Sequence, residues 1–229
     1  MNPFEPRMPK RRAFFVRLII VCTVALLIAA LAVLSYCVPY KTLLPAANIA
    51  ARKEGALRLH FLGVGQGDCT IVEFPTGELL VIDAGDGAFS AEKEIVRCIK
   101  ALDPTGISLL ATHADADHYG GLIELLSLYE VKKVYLPVLG SETARYGKFT
   151  EAVAREGCET EVLTRYSVIA DTSGAYLVCI SPYSSEEEDD NDSSAVLYLN
   201  YRGVSALLCG DIGAARERLL MREYAIEEG

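Results

Sequence analysis

Within six residues, His113-Ala114-Asp115-Ala116-Asp117-His118, the chain sets two imidazoles and two carboxylates, and it has only three histidines in all. Imidazole nitrogens and carboxylate oxygens are the donors that hold zinc, manganese and related divalent ions. A solvated loop could carry Asp and His by chance, but two of three histidines in one hexapeptide argues against that. Two imidazoles against two carboxylates make a harder set than a histidine-dominated zinc site, and one that accepts manganese as readily as zinc. The chemistry such a set offers is activation of water and polarisation of an electrophilic centre by a bound ion.

Something rigid has to carry these residues. Ile107 to Thr112 reads as a short buried strand immediately before them, so the loop projects from a sheet rim, and a helix follows from about Gly121 to Tyr129. Upstream, Leu57 to Val64, Cys69 to Phe74 and Leu79 to Asp83 read as strands. The turns Gly65-Gln66-Gly67-Asp68 and Pro75-Thr76-Gly77-Glu78 are short enough to impose antiparallel pairing. Ser90 to Leu102 has helical periodicity, with Ile95, Val96 and Ile99 on one face and Ser90 as the expected N-cap. Further on come a strand at Lys133 to Leu136, a helix at Thr143 to Glu156 and a strand at Ala175 to Ser181. An acidic loop (Ser184 to Asp192) leads into the hairpin Ala195 to Tyr201 and Val204 to Cys209, turning at Arg202-Gly203, and a last helix begins near Ala214. The expected class is α/β, with stacked sheets covered by helices.

The first forty residues are of another kind. Leu18 to Val38 is 21 residues of apolar sequence, about 31 Å as a helix, which matches a bilayer core. It is apolar all round and longer than the core of a cleaved signal, and Tyr36-Cys37-Val38-Pro39 offers no small-residue cleavage site. The organisation expected is therefore a basic cytoplasmic tail (1–17), a transmembrane anchor (18–38), a linker (39–56) and one domain (57–229). Arg7, Lys10, Arg11, Arg12 and Arg17 hold the N-terminus inside, so the domain is expected outside the cell membrane. Those five basic residues and Glu5 are the charges of residues 1–39. The rest carries seventeen basic against thirty acidic residues, a net −13 where the whole chain has −9. Such a domain repels polyanions unless metal ions or a local basic strip offset its field. Arg145, Lys148 and Arg165 are too scattered to form a nucleic-acid track. Gly63-x-Gly65-x-Gly67 is followed by strand-like residues where a dinucleotide-binding loop needs a helix. Glu186 to Asp190 reads as a solvated acidic loop, lacking the spaced ligands and Gly of a calcium site. Outside the anchor, Cys69, Cys98, Cys158, Cys179 and Cys209 lie mostly in apolar runs and read as buried small hydrophobes, with a disulfide through Cys158 left open.

His113-x-Asp115-x-Asp117-His118 resembles the H-x-[HD]-x-D-H signature of the metallo-β-lactamase fold. Phe61 to Asp68 (FLGVGQGD), Leu79 to Gly85 (LLVIDAG) and Thr112 to Leu122 (THADADHYGGL) together resemble the hydrolase domain of the ComEC family of competence proteins. Asn191 to Leu199 and Leu207 to Ile212 (LLCGDI) follow in the same order and spacing. The resemblance implies an αββα sandwich with a site for one or two ions, zinc or manganese, at the sheet rim. It assigns His113 and Asp115 to a first metal, Asp117 and His118 to a second, and Asp211 to the carboxylate that bridges or completes the pair. It makes Asp83 a support of the metal loop rather than a ligand. Asp117 and Asp68 are the candidate catalytic carboxylates, with Asp117 able to orient the nucleophile.

Three positions depart from that pattern. Asn191 stands where the wider fold has a His, with Asp192 beside it as an available oxygen donor; Gly63 stands where the family has Asp; and no His follows His118. His60, in mid-strand, is expected to be structural, and Tyr119 reads equally as a site-lining or a packing residue. A chain stopping at Gly229 is expected to be C-terminally short of a full metal site. Two functions follow as expectations. One is a membrane-anchored extracytoplasmic metal-dependent hydrolase of phosphodiesters, DNA beside an uptake channel being one such substrate. The other is a degenerate or truncated binding module without catalysis.

Overall fold

The computed structural model describes residues 10–37, 45–51, 53–182 and 191–224. The expected acidic loop lies almost wholly outside them. The chain divides into two units, Met1–Leu43 and Leu44–Gly229. The described residues of the first are helix α1 (Lys10–Cys37), whose stretch Phe14–Leu31 is long and apolar enough to cross a membrane. Its one described hydroxyl, on Thr23, donates to the Ile20 carbonyl at 2.9 Å, so that polar group is satisfied within the helix.

The second unit opens with β1 (Arg58–Phe61), β2 (Thr70–Glu73) and β3 (Glu78–Ile82), paired antiparallel. Helix α2 (Phe89–Leu102) then crosses to β4 (Gly106–Leu110), parallel to β3. Short α3 (Ala116–Tyr119) and α4 (Leu122–Leu128) lead to β5 (Val131–Leu136), and α5 (Ala144–Glu156) leads to β6 (Glu159–Val162), each strand again parallel to the one before. These six strands form one sheet in chain order. The second sheet, ordered β10-β9-β8-β7, is wholly antiparallel: β7 (Val168–Thr172), β8 (Ala175–Ser181), β9 (Val196–Tyr201) and β10 (Val204–Leu208). Helix α6 (Ala214–Glu223) follows it.

Strand β3 shows why the layers stack. Leu79 and Val81 pack with the α2 residues Ile95, Val96 and Ile99 on one face, while Leu80 and Ile82 meet Leu177, Leu197 and Leu199 of the second sheet on the other. A strand apolar on both faces is stable only between two layers, and each such side chain contributes about 2 kcal/mol of burial. On the far side of the second sheet, Val178, Ile180 and Val196 pack against Ile212 and Leu220 around α6. The result is the expected helix–sheet–sheet–helix sandwich.

Several local expectations are corrected. Helix α2 starts at Phe89 after Ala88, with no side-chain cap, so Ser90 lies inside the first turn. Thr143 caps α5 instead, its hydroxyl accepting from the Tyr146 N–H. Strands β6 and β7 were not expected; both lie at sheet edges with no fully buried side chain, and so lack the apolar alternation that marks half-buried strands. Part of the expected linker is bound to the domain. The Ala47 N–H donates to the Arg97 carbonyl, Arg97 Nε to the Pro45 carbonyl, Arg58 to the Ala50 carbonyl, and Ile49 packs on the core. His60 is structural, its Nε2 3.0 Å from the buried Glu73 that also pairs with Arg58. Tyr119 is buried among Tyr146 and Phe149 and is a packing residue. The described cysteines, Cys158 included, are all free.

Candidate metal centre

Strand β4 delivers the chemistry-bearing loop to the rim, where main-chain hydrogen bonds lace it to two others. The Ala84 N–H donates to the His118 carbonyl at 2.8 Å, Gly121 to Gly85 at 3.1 Å and Gly85 to Asp68 at 3.0 Å. Close approach demands glycine at one point in particular. Gly67 has φ +81, and a Cβ there would lie 1.7 Å from the Asp117 carbonyl oxygen. The GQGD turn therefore packs directly on the metal loop.

His113, His118 and Asp211 converge, with one donor atom from each lying within 4.8 Å of the others. The two imidazoles are buried, their ring centroids 4.1 Å apart, and Asp211 is exposed. His118 Nε2 is 3.4 Å from Asp211 Oδ2, and His113 Nε2 is 3.7 Å from Asp115 Oδ2. The second sheet brings Asp211 in through its own contacts. The Ala195 N–H donates to the Thr112 carbonyl at 2.9 Å, and the Asp211 N–H donates to Ser194 Oγ at 3.4 Å.

Beneath these donors lies Asp83, buried and held at φ 55, in the left-handed region that Asp tolerates better than most residues. Its Oδ1 accepts from the Thr112 N–H (2.9 Å), and its Oδ2 accepts from Thr112 Oγ1 (2.7 Å) and His118 Nδ1 (2.9 Å). This contact holds His118 with Nε2 turned toward Asp211, as carboxylates do behind metal-ligating histidines. Burial draws the His118 imidazole down, but the hydrogen bond and charge of Asp83, with Asp211 and Asp117, outweigh it and raise the group from 6.5 to about 9. For His113, burial and then the neighbouring His118 hold it below its ordinary value.

A divalent ion fits this set. His113 Nε2 is a buried polar atom with no hydrogen-bond partner among the described residues, in a molecule where such atoms are otherwise satisfied with few exceptions. His113 clusters with an imidazole and a carboxylate, the mixed donor set that zinc and manganese accept.

The remaining expected site residues fall around this trio. Asp115 borders it through His113. The Asp117 carboxylate accepts from Gln66 Nε2 at 3.2 Å. Asp68 is exposed and lines a neighbouring cleft of about 220 Å³ with Asp83, Thr112, Cys209 and Gly210. Asn191 opens the 3-10 turn Asn191–Ser193, and Asp192 Oδ1 is engaged by the Gly213 N–H at 2.9 Å. Sequence reasoning missed Thr112, Ser194 and Gln66. The available signal was position alone: a hydroxyl at a strand end beside a ligand-type His, and an amide between two glycines.

The profile of the "Metallo-beta-lactamase superfamily" matches residues 62–226. ComE operon protein 3 of Bacillus subtilis (strain 168), of the ComEC family, is 28% identical over 183 residues, covering 71% of this chain. The chain spans 23% of that relative's length. Among solved structures, Zn(2+)-bound PqqB from Methylobacterium extorquens is similar at TM-score 0.42 and 14% identity, covering 62% of this chain and 52% of that one. CmlA, a diiron β-hydroxylase from Streptomyces venezuelae, is similar at TM-score 0.44 and 15% identity, covering 76% and 33%. With its motif order, its layered sheets and a profile match over most of its length, the chain belongs to the metallo-β-lactamase superfamily.

Proposed function

We propose that this protein is a membrane-anchored, extracytoplasmic metal-dependent hydrolase that cleaves phosphodiesters, DNA among them. The observation that carries this reading is the convergence of one donor atom each from His113, His118 and Asp211, with His113 Nε2 buried and lacking a hydrogen-bond partner among the described residues. A divalent ion bound there, zinc or manganese, supplies a Lewis acid and an activated water. The protein's own part is to keep His113 and His118 aimed, His118 through its hydrogen bond to Asp83, and to keep Asp115, Asp117 and Asp68 at the opening. In this reading Asp117, which accepts a hydrogen bond from Gln66, would orient a nucleophilic water and take its proton. The resemblance of its motifs to the ComEC hydrolase domain supports a phosphodiester substrate, and the apolar α1 with its basic N-terminal flank supports an outward-facing domain. The domain's net −13 makes the metal the counter-charge that a polyanionic substrate needs.

The test is hydrolysis of bis(p-nitrophenyl) phosphate and of a short DNA strand by the full chain, with zinc or manganese added. His113→Ala and Asp117→Ala should each lower the rate at least about 100-fold. Rates equal to wild type would reject this site as the catalyst. One observation favours the second reading, a binding module without catalysis: Asn191, not His, opens the 3-10 turn before β9. That reading predicts metal binding with no turnover of either substrate.

A further inference from the structure

Thr112 touches both arms of the cluster. Its Oγ1 lies 2.7 Å from Asp83 Oδ2 and 3.0 Å from His113 Nδ1. A hydroxyl has one proton to give, and an ionised carboxylate only accepts. The Thr112 proton therefore goes to Asp83, and the contact with His113 is made by a lone pair on Oγ1. That lone pair requires the hydrogen of His113 to sit on Nδ1. The other ring nitrogen, Nε2, is then bare and buried, with no hydrogen-bond partner among the described residues and the Asp115 carboxylate 3.7 Å away.

The same residue also ties the cluster together through its main chain. Its N–H donates to Asp83 Oδ1, and its carbonyl accepts from Ala195, next to the Ser194 that receives the Asp211 N–H. Asp83 meanwhile binds His118 directly, so one carboxylate orients both imidazoles, reaching His113 only through the hydroxyl.

We propose that Thr112 is a positioning residue for the metal centre: its hydroxyl relays the acceptor demand of Asp83 to His113 and fixes the tautomer whose Nε2 is free to bind a divalent ion. This rests on the metal-site reading above and adds a residue to it. Valine at this position keeps the branched shape but removes both hydrogen bonds, leaving His113 Nδ1 without an acceptor. Serine keeps the hydroxyl.

The experiment uses the full chain, detergent-solubilised and metal-free, with 15N-labelled histidine; three histidines make the spectrum simple to assign. Long-range nitrogen–proton correlations, recorded under mildly alkaline conditions, report which ring nitrogen of His113 carries hydrogen. Wild type and Thr112→Ser should show the Nδ1–H form, and Thr112→Val a shift toward Nε2–H. In manganese or zinc titrations of the same samples, Thr112→Val should bind about 10- to 100-fold more weakly and Thr112→Ser close to wild type. An Nε2–H form in wild type overturns the proposal, as does a Thr112→Val protein with wild-type tautomer and wild-type affinity. Should Thr112→Val fail to fold, the wild-type and serine spectra still decide, since Nε2–H in either one overturns it. The expected tautomer with no metal binding in wild type overturns the metal-centre reading instead, and with it this role for Thr112.

Discussion

Asp83 and His118 stand 35 positions apart in the chain and meet as a buried hydrogen-bonded pair, Oδ2 to Nδ1 at 2.9 Å. Asp83 comes from the end of β3 and His118 from the short helix beyond β4. Their contact, with Thr112 between the two strand ends, converts the parallel pairing of β3 and β4 into a fixed imidazole orientation at the rim.

Replacing Asp83 tests that conversion. Asp83→Asn tolerates φ 55 but removes the charge and leaves three donors to share a poorer acceptor. It should cost about 3 kcal/mol of stability, read from chemical denaturation of the full chain in detergent. Asp83→Ala should cost more, because it adds the left-handed backbone strain. A wild-type midpoint in both would contradict the placement of Asp83 as the common support.

The pair also sets a pH dependence for the metal-free protein. His118 is raised to about 9 in the folded chain, from an ordinary 6.5. Its contribution is therefore fully present below about 6.5 and is lost as pH rises through about 9. His113 is lowered, so its contribution has the opposite sign: present above its ordinary value and lost as pH falls. Between about 6.5 and 9 the metal-free fold should lose stability with rising pH. Asp83→Asn should flatten that slope, which denaturation midpoints across the range will show.

The turn under the metal loop makes a paired prediction. Gly67 and Gly65 both have positive φ, +81 and +87, yet a Cβ at Gly67 would strike the Asp117 carbonyl while one at Gly65 meets nothing within 4 Å. Gly65→Ala should pay backbone strain alone, about 1–2 kcal/mol. Gly67→Ala should be more destabilising than that and should also weaken metal binding, because the loop bearing His113 and His118 has to move. Equal effects on stability and affinity would contradict the packing of this turn on the loop.

Much of this was legible in the sequence, for reasons particular residues show. The two histidines announced the site because ligand-type residues seldom cluster without cause, and β3 and β4 were visible because their buried positions, Leu79 to Ile82 and Ile107, Leu109 and Leu110, are all apolar. Gly65 to Asp68 and Arg202-Gly203 read correctly as turns because positive φ restricts residue choice. Edge strands β6 and β7 stayed hidden, since strands with no fully buried side chain carry no periodic signal. Nor could spacing reveal which carboxylates reach the imidazoles. Asp211, nearly a hundred residues on, joins His113 and His118, while Asp117, one residue from His118, engages Gln66. That selection depends on how three loops lace together, and on Thr112 and Ser194, whose hydroxyls look ordinary until their partners are placed.

The proposed anchoring makes a prediction about location: were α1 to cross the membrane with its basic flank inside, protease added to intact cells should remove the domain. Full protection would contradict the orientation, though not the metal centre.

Metal binding by the full chain tests the central claim most directly. Equilibrium dialysis against zinc or manganese, followed by elemental analysis, should find at least one ion per wild-type chain, little or none in His113→Ala, and weakened binding in Asp211→Asn. No bound metal at saturation, or binding unchanged in His113→Ala, would contradict a centre built from His113, His118 and Asp211.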